Sequence, residues 1–174
     1  MKITLCENAL AQMLASVVDA FPKECFGYLL GNKYNSTFKL NSAYNMSSLR
    51  RGKDYVFYKP NKVEKLEEII EKICKRNTKF LGTYHSHPDS TLKLSGEDKE
   101  KNLKNEKLQI IVSIKKTNHV KNYLKRSKNK KEIYGIINNY YFNIGEFYYN
   151  ENEQEFKRTL FCPLSKSLID RINS

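Results

Sequence analysis

Lys79-Phe80-Leu81-Gly82-Thr83-Tyr84-His85-Ser86-His87-Pro88 is the stretch from which the fold can be read. Its apolar and aromatic residues predict a strand, and Pro88 predicts the loop that ends it. Just upstream, Asn61 to Arg76 carries Val63, Leu66, Ile69, Ile70 and Ile73 on one face. That spacing predicts an amphipathic helix, with Pro60 acceptable just before its start. Downstream, Ser95 to about Lys104 predicts a further helix, and Leu108-Gln109-Ile110-Ile111-Val112-Ser113-Ile114 predicts a central, fully buried strand. Helices alternating with strands in this way mean an α/β fold.

The flanks extend the pattern. Leu10, Met13, Leu14, Val17 and Val18 predict a helix over Glu7 to Ala20, stopped by Pro22. Glu24 to Gly31 reads as a short buried strand, Asn32 to Asn35 as a turn, and Thr37 to Asn45 as the strand that completes a hairpin. Tyr55 to Tyr58, Glu132 to Phe142, Gly145 to Tyr149 and Glu155 to Phe161 read as strands, and Leu164 to Ile172 as a short helix. Two or three helices against grouped strands predict an α-β sandwich with a mixed sheet. There is no repeat and no Pro- or Gly-rich linker, so residues 1–174 read as one domain, large enough to bury about 70% of its unfolded surface.

Composition narrows the function classes. Aromatics make up 12% and hydrophobic residues 40%, which is globular. No apolar run nears the roughly 20 residues of a membrane span, and Met1 to Glu7 lacks a signal-peptide core. A soluble, cytoplasmic protein with no membrane partner is expected. Cys6, Cys25, Cys74 and Cys162 are scattered, with no metal-knuckle or disulfide pattern. The net charge of +12 favours an acidic partner without choosing its kind.

The chemistry concentrates around two of the chain's three histidines. Residues two apart on a strand share a face, so His85 and His87 can present both imidazoles to one metal ion. A pair that merely caps a strand end is the plainer alternative. Asp98 follows in Ser95-Gly96-Glu97-Asp98. Taken alone, that tetrapeptide is a capping-box-like helix start. A capped start also holds Asp98 rigidly, and a returning loop would complete a His, His, Asp set with a fourth position left for water. Glu24 is the candidate base, because its hairpin can lie beside the histidine strand. A solvated carboxylate at a strand end is the alternative.

His85-Ser86-His87-Pro88, six residues, then Ser95-Gly96-Glu97-Asp98 resembles the JAMM (MPN-plus) zinc metalloprotease signature, in its compact prokaryotic form. Glu24-Cys25-Phe26-Gly27-Tyr28-Leu29-Leu30-Gly31 looks like that family's upstream glutamate strand. The resemblance covers about residues 1–145, with 146–174 read as C-terminal strands and a short helix. It implies a cytidine-deaminase-like α-β sandwich with a curved, mixed sheet. It further implies one Zn2+ held by His85, His87 and Asp98, with Glu24 as general base and Ser95 as donor to the oxyanion. Ser86, between the ligands, reads as structural. The implied reaction is hydrolysis of the amide after the C-terminal Gly-Gly of a ubiquitin-like protein, as deconjugation or precursor processing. Ubiquitin-transfer enzymes of the same pathway are the implied further partners. A catalytically silent MPN scaffold is the alternative within the fold. A deaminase would need His-x-Glu and Pro-Cys-x-x-Cys, and neither occurs.

Lys115 to Lys131 holds eight Lys/Arg and no acid. It reads first as a solvated, mobile hairpin tip, with His119 a surface residue. Its functional alternative is a docking surface, through Lys115, Lys116, Lys121, Lys125 and Arg126, for an acidic ubiquitin-like protein. Nucleic acid is the less favoured occupant, and a basic nucleic-acid-binding protein the corresponding rival function. The aromatics Tyr140, Tyr141, Phe142, Phe147, Tyr148 and Tyr149 read as sheet core rather than stacking platforms.

Overall fold

The computed structural model describes residues 2–35, 37–46, 50–51, 56–57, 60–73, 78–96, 98, 108–129, 131–150, 155–157, 160–162 and 171–173. The order begins β1 (Lys2–Leu5), α1 (Glu7–Ala20), β2 (Phe26–Tyr34), β3 (Thr37–Asn45), β4 (Arg50–Arg51) and β5 (Val56–Phe57). It continues α2 (Pro60–Ile73), β6 (Lys79–Pro88), β7 (Leu108–Lys116), β8 (Tyr123–Arg126) and β9 (Glu132–Ile137). Last come β10 (Tyr140–Asn150), β11 (Glu155–Lys157) and β12 (Leu160–Cys162).

One sheet runs β12-β1-β3-β2-β6-β7-β10-β9-β8, with β11 added against β10, and β4-β5 form a separate ribbon. The pairs β1/β12, β1/β3 and β6/β7 are parallel and the others antiparallel, so the sheet is mixed as expected. Register irregularities at Leu29/Leu30 and Leu30/Gly31 in β2 are the bulges that bend such a sheet.

One face of the sheet is covered by α1. Leu10, Met13, Leu14 and Val17 recur at helical spacing and are buried. They pack with Leu29, Leu40, Tyr84, Ile110, Val112 and Phe142 in the main core. Each such side chain contributes about 1.5–3 kcal/mol when fully buried. Gly27 is required here, because an added Cβ would collide with the Tyr44 carbonyl and the Tyr84 ring. The opposite face has two smaller clusters. Phe26, Tyr28 and Met46 pack with Phe80, and Leu92, Ile111 and Phe147 pack with Leu94.

Several boundaries differ from the sequence reading. Glu132 to Phe142 is not one strand. It breaks at Asn138 and Asn139, whose φ values of 48° and 64° make a tight two-residue turn between β9 and β10. Asparagine tolerates that left-handed region better than other non-glycine residues. Gly145 to Tyr149 is therefore the continuation of β10. β2 extends through Tyr34, so the expected turn shrinks to Asn35. The short strand β1 was not anticipated, since four residues carry too little alternation. On α2, Ile70 is buried but Ile69 and Ile73 are exposed, so its apolar stripe is only partly covered. Tyr55, Tyr58 and residues 74–76, 99–104 and 164–170 of the expected elements lie outside the described residues.

Segment 115–131 is not only a hairpin tip. Tyr123–Arg126 form β8 at the sheet edge, paired antiparallel with β9. Leu124 is 0% exposed within the main core, which anchors the segment despite its charge.

Candidate metal centre

β6 is hydrogen-bonded to β2 on one side and β7 on the other. In register, His85 lies between Phe26 and Ile111, while His87 pairs with Ser113. Strand alternation turns both histidines to the face away from α1. They are 4% and 8% exposed, so neither imidazole is a solvated strand-end cap. Their Nε2 atoms lie 3.0 Å apart.

Asp98 reaches this pair by way of a returning loop. Asp89 donates its N–H to the Ile114 carbonyl, the Ser113 hydroxyl donates to the Ser90 carbonyl, and Leu92 is buried beside Ile111. The loop is thus fastened to β7 before the next helical turn begins. There Ser95 and Asp98 form a reciprocal capping pair. Ser95 N–H donates to Asp98 Oδ2 at 2.7 Å, and Asp98 N–H donates to Ser95 Oγ at 3.0 Å. Gln109, on β7, adds a longer bond from Nε2 to the Asp98 carbonyl at 3.4 Å. The cap and the site share one carboxylate: Asp98 Oδ1 is 3.3 Å from His85 Nε2, and Oδ2 is 3.7 Å from His87 Nε2.

These distances test whether a metal fits. Zinc bonds to imidazole nitrogen at about 2.0–2.1 Å, so two ligands at a tetrahedral angle stand about 3.3 Å apart. The two Nε2 atoms, 3.0 Å apart, lie close to that edge; Asp98 faces them through different oxygens, and one donor atom from each of the three residues lies within 4.8 Å of the others. The tautomer fits too. His87 Nδ1 faces the Thr91 carbonyl at 2.9 Å and must donate to it, which leaves the Nε2 lone pair for a metal. His85, His87 and Asp98 therefore form a group able to hold a metal ion.

Electrostatics agree with the geometry. Burial opposes a charge on His87, yet the Asp98 hydrogen bond, the Thr91 carbonyl and the charges of Asp98 and Glu24 outweigh it. Its pKa is raised. Burial also disfavours the Asp98 carboxylate, but hydrogen bonds from both imidazoles and from Ser95 hold its carboxyl well below the usual range. A bound cation would take over the stabilisation that protons on the imidazoles otherwise supply.

Glu24 lies just before β2 and is half-buried. Its charge is among those that raise the His87 pKa. Ser95 is exposed beside Asp98, and capping uses an oxygen lone pair, so its O–H can donate elsewhere. The basic residues do not join this group. Lys115 and Lys116 end β7, Lys121 lies in the following loop, and Lys125 and Arg126 are on β8. β8 is four strands from β6, about 19 Å at the usual strand spacing. Lys115 Nζ lies 5.2 Å over the Tyr141 ring and Lys125 Nζ 5.4 Å over the Tyr123 ring. His119 is exposed in the loop between β7 and β8. Of the expected core aromatics, Phe142 and Phe147 are buried, while Tyr140, Tyr141 and Tyr148 are half-buried. Thr91 and Gln109 were not foreseen. Thr91 acts through its backbone carbonyl and leaves no mark in sequence, whereas Gln109 is a polar break in an apolar strand.

Comparison with known proteins follows the same lines. Residues 7–128 match the family described as prokaryotic homologs of the JAB domain. The solution structure of protein DSY2949 from Desulfitobacterium hafniense superposes with a TM-score of 0.59 at 18% identity, covering 95% of this chain and 96% of that one. At that identity the likeness is one of fold. No curated protein matches the chain. Among the described residues no helix is long and apolar enough to cross a membrane.

Proposed function

This chain belongs to the family of prokaryotic JAB-domain homologues, and from that premise we propose that it is a zinc-dependent isopeptidase. Its substrate is the amide bond after the C-terminal Gly-Gly of a ubiquitin-like protein, as a conjugate or a precursor. The observation that carries this reading is the meeting of His85, His87 and Asp98 at separations suited to one tetrahedral metal.

When bound, a Zn2+ ion supplies Lewis-acid polarisation of the scissile carbonyl and acidifies water. His85, His87 and Asp98 would hold the ion, three protein ligands being the usual number for a catalytic zinc. Glu24, just before the neighbouring strand β2, takes a proton from the attacking water and returns it to the leaving amine. Ser95 Oγ–H donates to the oxyanion of the tetrahedral intermediate, a contribution of about 2.7–4 kcal/mol for such donors. The nucleophile is water, so Cys6 and Cys25 have no part in it.

The test is incubation of the purified, zinc-loaded protein with linear fusions and lysine conjugates of ubiquitin-like proteins ending in Gly-Gly. Cleavage after the second glycine that stops with a chelator and returns with zinc is the expected result. Glu24→Gln should keep its zinc and lose about 10²–10⁴-fold in turnover. A zinc-loaded protein that cleaves none of these substrates overturns the proposal.

A further inference from the structure

Ser86 stands between the two candidate ligands, yet alternation sends its side chain to the other side of β6. It is 0% exposed there. Its hydroxyl accepts the Cys25 N–H at 2.8 Å, and its own N–H donates to the Cys25 carbonyl at 2.9 Å. Cys25 is also 0% exposed.

In a regular antiparallel ladder every second facing pair exchanges two backbone bonds. The ladder between β2 and β6 ends at the pair Phe26↔His85. One step further, only one of the two bonds is made by backbone, and the Ser86 hydroxyl supplies the other. The hydroxyl thereby prolongs the pairing by one residue. Carried one step further, the same register would set Glu24 opposite His87. Phe26 shares its face with His85, so alternation returns Glu24 to the face of His87. On the other flank Lys23 N–H donates to the Ala20 carbonyl in a turn.

We infer that Ser86 is a positioning residue: through the backbone of Cys25 it holds the Glu24 carboxylate over the metal site. The inference rests on the metal and base assignments proposed above. Removing the hydroxyl leaves a buried N–H without its acceptor, and a buried donor in that state pulls its segment toward another partner. Glu24, one residue away, moves with it. The zinc ligands lie on other backbone and stay in place.

The full-length protein loaded with cobalt(II) provides a readout that does not depend on cleavage. Glu24→Gln is expected to shift the pH profile of the cobalt absorption. Ser86→Ala should reproduce that shift with cobalt affinity changed by no more than about threefold. Ser86→Thr, which keeps the hydroxyl, should restore the wild-type profile. Ser86→Cys, similar in size with a poor acceptor, replaces Ser86→Ala if the latter does not fold. In turnover, Ser86→Ala should cost about tenfold in kcat with KM within about twofold, and nothing further in the Glu24→Gln background.

A wild-type cobalt profile in Ser86→Ala, alongside a shifted one in Glu24→Gln, overturns the role of Ser86 and leaves the base assignment standing. Additive losses in the double variant do the same. An unshifted profile in Glu24→Gln removes both.

Discussion

On the middle strand β6, His85 and His87 are 4% and 8% exposed and meet one shared carboxylate. In the basic segment that runs from the end of β7 to the edge strand β8, Lys115 and Lys125 are exposed, and each lies over a tyrosine ring. The first region has few charges and the second has many. Yet the first is where functional groups converge and where burial makes their interactions strong. The second is solvated, and screening weakens what its charges do. Charge density marks a surface; converging donors with fixed tautomers mark a site.

The sharpest way to break this contrast is His87→Ala. It removes a ligand and the Nδ1–H bond to the Thr91 carbonyl together. Zinc measured by elemental analysis should fall from about one ion per chain to near none. A variant that keeps its zinc would place the ion elsewhere.

Ser95→Ala is expected to cost about 10²–10³-fold in kcat through the lost oxyanion donor. It should also cost about 1 kcal/mol of stability through the lost cap of Asp98. Thermal unfolding beside steady-state rates separates the two effects. Unchanged kcat would leave Ser95 with a capping role alone.

Acidification sharpens the same picture. Burial opposes a proton on His87, but Asp98, Thr91 and Glu24 hold one there to a higher pH than for a free imidazole. That proton must leave before a metal binds, so zinc affinity should fall as pH drops. The fall begins above the ordinary imidazole value near 6.5 and approaches about tenfold per pH unit. Competition titrations between about pH 8 and 5.5 would show it. A flat profile would mean that His87 Nε2 is not a ligand.

The smallest effect is expected in the basic segment. Lys115→Ala with Lys125→Ala should leave zinc content unchanged and alter kcat by less than about twofold. A large loss of kcat at physiological salt would erase the distinction between the two regions.

Much of this was legible in the residues. The α1 stripe of Leu10, Met13, Leu14 and Val17 has a helical period, and the strand around Ile110 to Val112 shows itself as a short, β-branched apolar run. The histidine pair follows from period two on a strand, and Asp98 from its capping position. The plain reading of Ser95 and Asp98 as a helix cap was also correct, because one carboxylate serves both purposes. What stayed hidden depended on partners distant in sequence. The turn at Asn138 and Asn139 competes with continuous Tyr and Ile alternation on either side. β8 looked like a charged tip because only Leu124 reaches the core. The support from the Thr91 carbonyl and the Ser86–Cys25 clamp exists only once β6, its loop and β2 are brought together.

X-ray absorption of the zinc-loaded protein, paired with its crystal structure, would read the ligands of the ion themselves. Two imidazole nitrogens at about 2.0–2.1 Å and one carboxylate oxygen at about 2.0–2.2 Å, from His85, His87 and Asp98, are expected. Zinc bound by sulfur, or by any other set of side chains, would contradict it.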